Sequence, residues 1–565
     1  MAQAQFTVPN VVNVPGAVTN TLGDTTFINY SLVGVGRISG SALDAFGETF
    51  GSVSSLQITG LTNHGNGTYE GTFNILPDRG YNSGNFFSAY AGRINQVGFT
   101  FTPYTGSTNI GGSTDAEKLA AQNQIIFTTP ITGTKFTYDD PLTLSNSFTT
   151  GLDPGTNCAT LFGQTLPYVT SFAGLSSPGS TNITTYTNLN KLPVDAEALV
   201  VKPDGSGYIG DEYGPNIYYF NSSKKIVGVI VPPAAFQPFS PSNVLNFNSV
   251  VPAISGRRNN QGFEGVSLSP DGTRLFALLQ SATIQDSDAS QENRKQTRLL
   301  VYDVGTNPTN SIPLAEYALT LPTYRTTING VAVNATCAQS DVVGLDNTRF
   351  LVLSRDAHGL GSVTTNAIVY KSVLLVDISV GHPTNLASDA VKNAQAGKIT
   401  TAPGVLDPAI TPLKWIEVVN LLNTNQLGKF NILFEDGTNQ VSKLVMGEKW
   451  EGMALVSVSD TNYPNDYFLF VGNDNDFLSS SGRMLGPDGT MVRYNGFSPE
   501  KGATSYPPNR IPAAVSSANQ EYDTCFLVYR VSIAIRLRER STVPGPMCKR
   551  PSSAARATEE SLLRR

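Results

Sequence analysis

Histidine is scarce in this chain, with His64, His358 and His382 the three among 565 residues. The four cysteines, Cys158, Cys337, Cys525 and Cys548, lie far apart, without a CxxC pair or clustered histidines. A zinc centre of sulfur and imidazole ligands is therefore not expected, while disulfides stay open, because four cysteines allow three pairings. Charge is scarce too: Asp, Glu, Lys and Arg make up 15% of the residues, against a usual share of about 25%. The formal net charge of −6 gives nucleic acid no electrostatic footing. No apolar run approaches the ~20 residues that a membrane-spanning helix needs, so no membrane partner is expected. Also missing are the GxSxG nucleophile elbow, the GxxxxGK(S/T) phosphate loop and the RHGxRxP signature of histidine acid phosphatases. Each of those schemes for holding or attacking a substrate is thereby ruled out.

What the chain has in plenty is turn and strand chemistry. Its 52 glycines and 34 prolines sit among runs rich in Val, Ile, Thr, Tyr and Phe, the composition of short strands joined by many turns. An internal repeat orders these runs. Asp195–Gly205 (DAEALVVKPDG) aligns without a gap on Gly262–Gly272 (GFEGVSLSPDG); a third copy starts at Lys449-Trp450-Glu451-Gly452, and a weaker fourth at Ser340-Asp341. Each copy places an acid before an apolar strand, then a turn, then a second strand. Those second strands run into Asp211-Glu212-Tyr213, Ser354-Arg355-Asp356 and Asn473-Asp474-Asn475-Asp476, or into the milder Gln280-Ser281. An earlier strand ends likewise in Asp78-Arg79-Gly80.

Repeated hairpins at this spacing predict an all-β, single β-propeller-like domain over residues 30–533, with six or seven blades. A tandem of β-sandwiches would explain the hairpins but not the acids at matched positions. The Ser/Thr/Gly-rich stretch from Gly106 to Leu192 reads as an elaborated blade, with a short helix near Ala116–Asn123. Residues 534–565 read as a basic, disordered tail: residues 535–565 hold eight Lys or Arg against three Glu and few large apolar residues.

In a propeller, equivalent ends of the inner strands meet at one mouth of a central channel. Glu197, Glu264 and Glu451, with Asp341 a weaker fourth, would then share a ring, the strand-end acids lying beside it or at the opposite mouth. Carboxylates so gathered repel unless they share protons or bind a cation, and hard oxygen ligands suit Ca²⁺ or Mg²⁺. The blander reading is a set of ion pairs holding blades together. Asp204, Asp271 and Asp488, in Pro-Asp-Gly turns, are turn-formers. His64 and His382 read as exposed, and His358, just after Arg355-Asp356, as an accessory acid–base candidate.

The combination of LPDRG at Leu76–Gly80, Glu197-Ala198-Leu199 with DEYGP at Asp211–Pro215, NQGFEG at Asn260–Gly265 and KWEG at Lys449–Gly452 with GNDNDF at Gly472–Phe477 resembles the phytase-like domain family, "esterase-like activity of phytase". The resemblance covers about residues 30–533 and implies a phosphoester hydrolase. On that reading Arg79, Glu264, Arg355 and Asp356 are the candidate catalytic residues, with the two arginines offsetting phosphate charge. Asp78, Glu197, Asp211, Glu212, Glu451, Asp474 and Asp476 are the candidate ligands of a divalent cation, with Ca²⁺ the first expectation. The partner expected is a small-molecule phosphoester bound to a monomer. A propeller that binds a ligand without catalysis is the alternative. Sequons at Asn29, Asn66, Asn182, Asn221 and Asn334 suit a secreted fungal glycoprotein, although no basic and apolar leader is visible at Met1–Phe6.

Overall fold

The computed structural model describes residues 11–83, 85–328, 330–361, 367–433, 442–496 and 522–536. Five sheets of four or more strands, antiparallel but for one outer pair in the second, stand around one axis, and four of them begin with one of the repeated strands. The first blade orders Ser55–Asn63, Tyr69–Leu76 and Arg93–Phe101, with Ile125–Phe127 and Thr132–Lys135 on its outer edge. The second orders Ala196–Val201, Gly207–Asp211, Ile217–Phe220 and Lys225–Ile230, extended outward by Thr137–Asp140 and Ser145–Phe148. The third runs Phe263–Leu268, Arg274–Leu279, Gln296–Asp303, Pro313–Thr320, and the fourth Ala338–Gly344, Arg349–Arg355, Lys371–Asp377, Lys414–Asn420. In the fifth, Lys449–Ser457 and Asp466–Asp474 pair through Thr524–Ile535 with Thr25–Ile38 and Val18–Leu22.

This last sheet joins the two ends of the described chain and closes the ring, and each blade keeps only a short outer edge. The propeller therefore reaches from Val18 to Ile535, wider than the 30–533 expected, and of the expected tail residues 537–565 lie outside the described residues. The blade count is corrected as well, from six or seven to five. Long insertions between the repeats fold as separate two-stranded hairpins, such as Val169–Leu175 with Ile183–Lys191 and Thr323–Ile328 with Val331–Thr336. The elaboration between Gly106 and Leu192 adds edge strands to the first two blades, as expected, and its helix spans Asp115–Ala121 behind a Thr114 capping box.

Packing between blades is apolar and aromatic. Phe73 stacks on Phe99 at 4.2 Å between ring centroids and on Phe526 at 4.9 Å, joining the first and fifth blades; truncating such a buried ring costs about 3–5 kcal/mol. Asp204 and Asp271 form the turns after the inner strands, accepting from the amides of Ser206 at 2.9 Å and Thr273 at 3.0 Å. Gly205 and Gly272 follow with φ of +81° and +74°, a conformation that favours glycine. Cys158, Cys337 and Cys525 are free thiols. Asn29 is buried, which removes it as a glycosylation acceptor in the folded chain, whereas Asn66 and Asn182 are exposed.

Candidate functional site

One irregularity recurs where the inner strands begin. The ladder between first and second strands skips a residue at Glu197, Glu264, Ser340 and Glu451, in blades two to five. A bulge turns the skipped side chain out of the alternation of its strand, here toward the channel mouth. Glu197, Glu264 and Glu451 thereby bring carboxylate oxygens within 4.8 Å of one another, and Glu197 takes part in a second such group with Asp195 and Glu212. All five carboxylates are buried.

These acids form the floor of a cavity of about 820 Å³. Asp78, Asp474, Asp476 and Glu448 also line it, so the strand ends and the inner-strand starts share one mouth. Nine carboxylates face four cationic side chains, Arg79, Arg294, Arg355 and Lys449. Three of those cations are already paired. Arg79 Nη1 lies 3.0 Å from Asp195 Oδ2, Arg355 Nη2 meets Glu451 Oε1, and Lys449 Nζ reaches Asp474 Oδ2 at 3.1 Å and Asp476 Oδ1.

The remaining carboxylates repel. Burial, then Glu264, Asp195 and Glu212, holds Glu197 well above the ordinary carboxylate range, and burial with Glu212 and Glu451 does the same to Glu264. Burial and then Asp195 push Glu212 up to about 8; burial with Asp474 and Asp195 raises Asp78. For Lys449, burial works against the charged form, but the surrounding acids outweigh it and raise its pKa. Oε2 of Glu212 and Oε2 of Glu264 are buried and accept no hydrogen bond. Two facing groups of oxygens in that condition need either protons or a cation. An all-oxygen set with unfilled acceptors is what Ca²⁺ or Mg²⁺ takes, so the residues present fit a hard divalent cation.

Two of the expected site residues are engaged elsewhere. Asp211 is set back from the cavity and accepts from the amides of Asp195 at 2.9 Å, Gly214 at 3.1 Å and Tyr213 at 3.3 Å. Asp356 accepts from the amides of Val369 at 2.6 Å, Tyr370 at 2.8 Å and His358 at 3.2 Å, and from Lys371 Nζ at 2.8 Å. It ties the blade-four loops together and does not face the cavity. Arg355, which lines the cavity, spends Nε on Ser340 and Nη1 on the Asp356 carbonyl besides its pair with Glu451, and so orients Glu451. Asp341, one residue past its bulge, accepts from the amides of Met453 at 2.7 Å and Val342 at 2.8 Å inside the channel; Ser340 holds the equivalent of the ring position.

Asp195 belongs to the site although the repeat gave it no support, because its counterpart is Gly262. His358, buried, also lines the cavity, with Nε2 3.3 Å from Thr326 Oγ1 and its ring edge-on to Tyr324.

A secreted protein of Arthroderma benhamiae, otherwise uncharacterized, is 31% identical over 484 residues, covering 81% of this chain and 89% of that protein. Among solved structures, Saccharomyces cerevisiae Sqt1 covers 80% of this chain and 79% of its own at 8% identity and a TM-score of 0.22. Virginiamycin B lyase from Staphylococcus aureus covers 57% of this chain and 95% of its own at 9% identity and a TM-score of 0.16. Likeness of that degree decides nothing about this chain. The sequence itself matches "Phytase-like: Esterase-like activity of phytase" over residues 50–477. That span contains every acid of the cavity from Asp78 to Asp476, and the chain belongs to this phytase-like family.

Proposed function

We propose that this chain is a secreted phosphoester hydrolase that works with a divalent cation, Ca²⁺ first, held by Asp195, Glu197, Glu212 and Glu264. The observation that carries the reading is the pair of interlocking carboxylate groups with buried, unfilled oxygens at Glu212 and Glu264. A cation there would polarise a phosphoryl oxygen and lower the pKa of a water, which suits a chain without a nucleophile motif. Around it the chain's own residues divide the work. Arg355 fixes Glu451, and Arg79 fixes Asp195 while stacking between Phe87 and Tyr213 at 5.6 and 5.4 Å. Lys449 keeps Asp474 and Asp476 from adding their charge to the floor. His358, which also lines the cavity, offers an imidazole to the leaving oxygen when water attacks phosphorus and the ester P–O bond breaks. The extracellular setting is supported by the secreted relative.

Hydrolysis of phytate and of bis(4-nitrophenyl) phosphate, with calcium and with chelator, tests the proposal. Calcium-dependent release of phosphate or nitrophenol from at least one substrate is expected. A folded protein inactive on both with every divalent cation tried would leave a ligand-binding propeller instead.

A further inference from the structure

The fold treats the asparagines of the five sequons differently. Asn29 is 2% exposed, in a strand paired on both sides, opposite Val18 and Val531. A sugar there would hold open the sheet that closes the ring. Asn221 is half-buried, and its Oδ1 accepts from the Ser223 amide at 3.0 Å, the Ser223 hydroxyl at 2.8 Å and the Lys225 amide at 3.1 Å. Lys224 Nζ ties that turn to the Gly205 carbonyl of the neighbouring one. Asn334 is half-buried as well, and Thr336, the hydroxyl residue of its sequon, is buried at the cavity wall with Oγ1 3.4 Å from the Glu292 carbonyl. Asn66 and Asn182 are placed otherwise. Asn66 is exposed in the turn between Ser55–Asn63 and Tyr69–Leu76. Its Oδ1 accepts from the Thr68 amide at 3.0 Å and the Thr68 hydroxyl at 2.6 Å, while its Nδ2 donates to none of the described residues. A Cβ added to Gly65 or Gly67, on either side, would meet nothing within 4 Å. Asn182, in the turn between Val169–Leu175 and Ile183–Lys191, is exposed together with Ile183 and Thr184, and its side chain bonds to none of the described residues. A Cβ on Gly179 of the same turn would also meet nothing. An exposed amide nitrogen, unengaged and with open space around it, takes a bulky group without breaking any bond of the fold.

We propose that Asn66 and Asn182 carry N-linked glycans in the secreted protein, and that the asparagines of the other three sequons stay bare. The donor is an oligosaccharide on a lipid pyrophosphate. Asparagine Nδ2 bonds to C1 of the first sugar, the bond from C1 to the pyrophosphate oxygen breaks, the lipid pyrophosphate leaves, and the amide proton passes to a base of the transferase. The two glycans stand at opposite ends of the ring. Asn66 follows the inner strand of the first blade and so lies away from the acids, whereas the Asn182 hairpin stands at the cavity end, Leu175 N donating to the Asn85 carbonyl at 3.0 Å, three residues past cavity-lining Asn82. Neither asparagine lines the cavity, so hydrolysis does not depend on the glycans. The inference takes from the proposed function only the extracellular setting, which the secreted relative supports.

The test is to secrete the full chain from a eukaryotic host behind a leader peptide and to remove N-glycans with peptide-N-glycosidase in heavy-oxygen water. The enzyme leaves a heavy aspartate wherever a glycan stood, and peptide mapping reads each position. Heavy aspartate is expected at 66 and 182 and at none of the other three. N66Q and N182Q should each abolish one step of the mobility shift that deglycosylation causes, and the double variant should abolish all of it. The wild-type map decides the matter even if a variant is not secreted. An unlabelled Asn66 or Asn182 in secreted wild type refutes the proposal, and so does label at Asn29, Asn221 or Asn334. A secreted chain that cleaves phosphoesters but carries no label would sink the glycans alone. A labelled chain inactive on every phosphoester tried would sink the reaction alone.

Discussion

Replacing Glu264 by Gln keeps the shape of the side chain and removes one negative charge from the middle of the acidic floor. With chelator present, the wild-type carboxylate faces Glu212, Glu197 and Glu451 with Oε2 unfilled. A glutamine there relieves repulsion, and its amide can donate to a neighbouring carboxylate, a hydrogen bond to charge worth about 1.5–3 kcal/mol. With calcium the sign reverses, because the variant lacks a charged ligand. A site filled to 100 times its dissociation constant stabilises the fold by about 2.7 kcal/mol. Unfolding entropy of about 2.1 cal/mol/K per residue gives 565 residues about 1.2 kcal/mol/K, so that binding lifts Tm by about 2 °C. Scanning calorimetry of both proteins, each with calcium and with chelator, should show the wild type gaining about 2 °C from calcium and E264Q gaining less than half of that. In chelator E264Q should melt at or above the wild type. If Glu264 serves as counter-charge to Arg355 or Lys449 instead, E264Q melts lower by the same amount in both conditions, and the cation site is refuted.

Two further expectations follow from the same geometry. Burial, ahead of the neighbouring charges, raises Glu212 and Glu448 to about 8 and Asp211 to about 7. Raised carboxyls favour the protonated folded state, so their contribution is fully present below the unfolded value of about 4 and is lost as pH rises through about 7–8. Each glutamate then accounts for on the order of 5 kcal/mol at most. In chelator Tm should fall steadily from pH 5.5 to 8.5 and fall less in calcium, and a flat or rising profile in chelator would contradict the electrostatic account. D356N strands the buried Lys371 ammonium and should cost about 3–5 kcal/mol, with or without calcium. The folded enzyme should retain KM within about threefold, and a wild-type Tm with lost turnover would return Asp356 to the catalytic residues.

The inner strands and the ring glutamates were legible because the repeat is written in apolar runs and Pro-Asp-Gly turns that survive in sequence. Of the strand-end aspartates, Asp78 and Asp474 line the cavity while Asp211 and Asp356 do not, and the difference has a physical reason. Asp78, Asp211, Asp356 and Asp474 each accept from the amide two residues on, at Gly80, Tyr213, His358 and Asp476, at 2.8, 3.3, 3.2 and 2.7 Å. An aspartate recurs there because the turn needs a local acceptor. Whether its other oxygen also faces the cavity, as Asp474 does toward Lys449, depends on the neighbouring blade, and periodicity cannot report that. Arg294 was invisible for the opposite reason: it lies in a loop that no other blade repeats. The count of five was not legible because the first blade lacks the Pro-Asp-Gly repeat and hairpin insertions interrupt the spacing of the others.

The bulge and the small residue after it together explain why the ring is tight enough for its chemistry. Glu264 is followed by Gly265, whose added Cβ would lie 2.5 Å from Val342 of the next blade. Glu451 is followed by Gly452, whose Cβ would lie 2.5 Å from Val53, just before the inner strand of the first blade. Neighbouring inner strands therefore approach at these points to a distance that any larger side chain would forbid, while the bulge turns the preceding glutamate out of the packed layer and into the mouth. In blade four the same offset carries Ser340 and then Asp341, and the extra carboxylate there is spent on the Met453 amide across the blade boundary. Close approach and outward aim are thus separate requirements met by adjacent residues. Enlarging Gly265 would spread the blades and separate the carboxylates without touching a single charge, whereas altering Glu264 removes the charge and leaves the spacing intact.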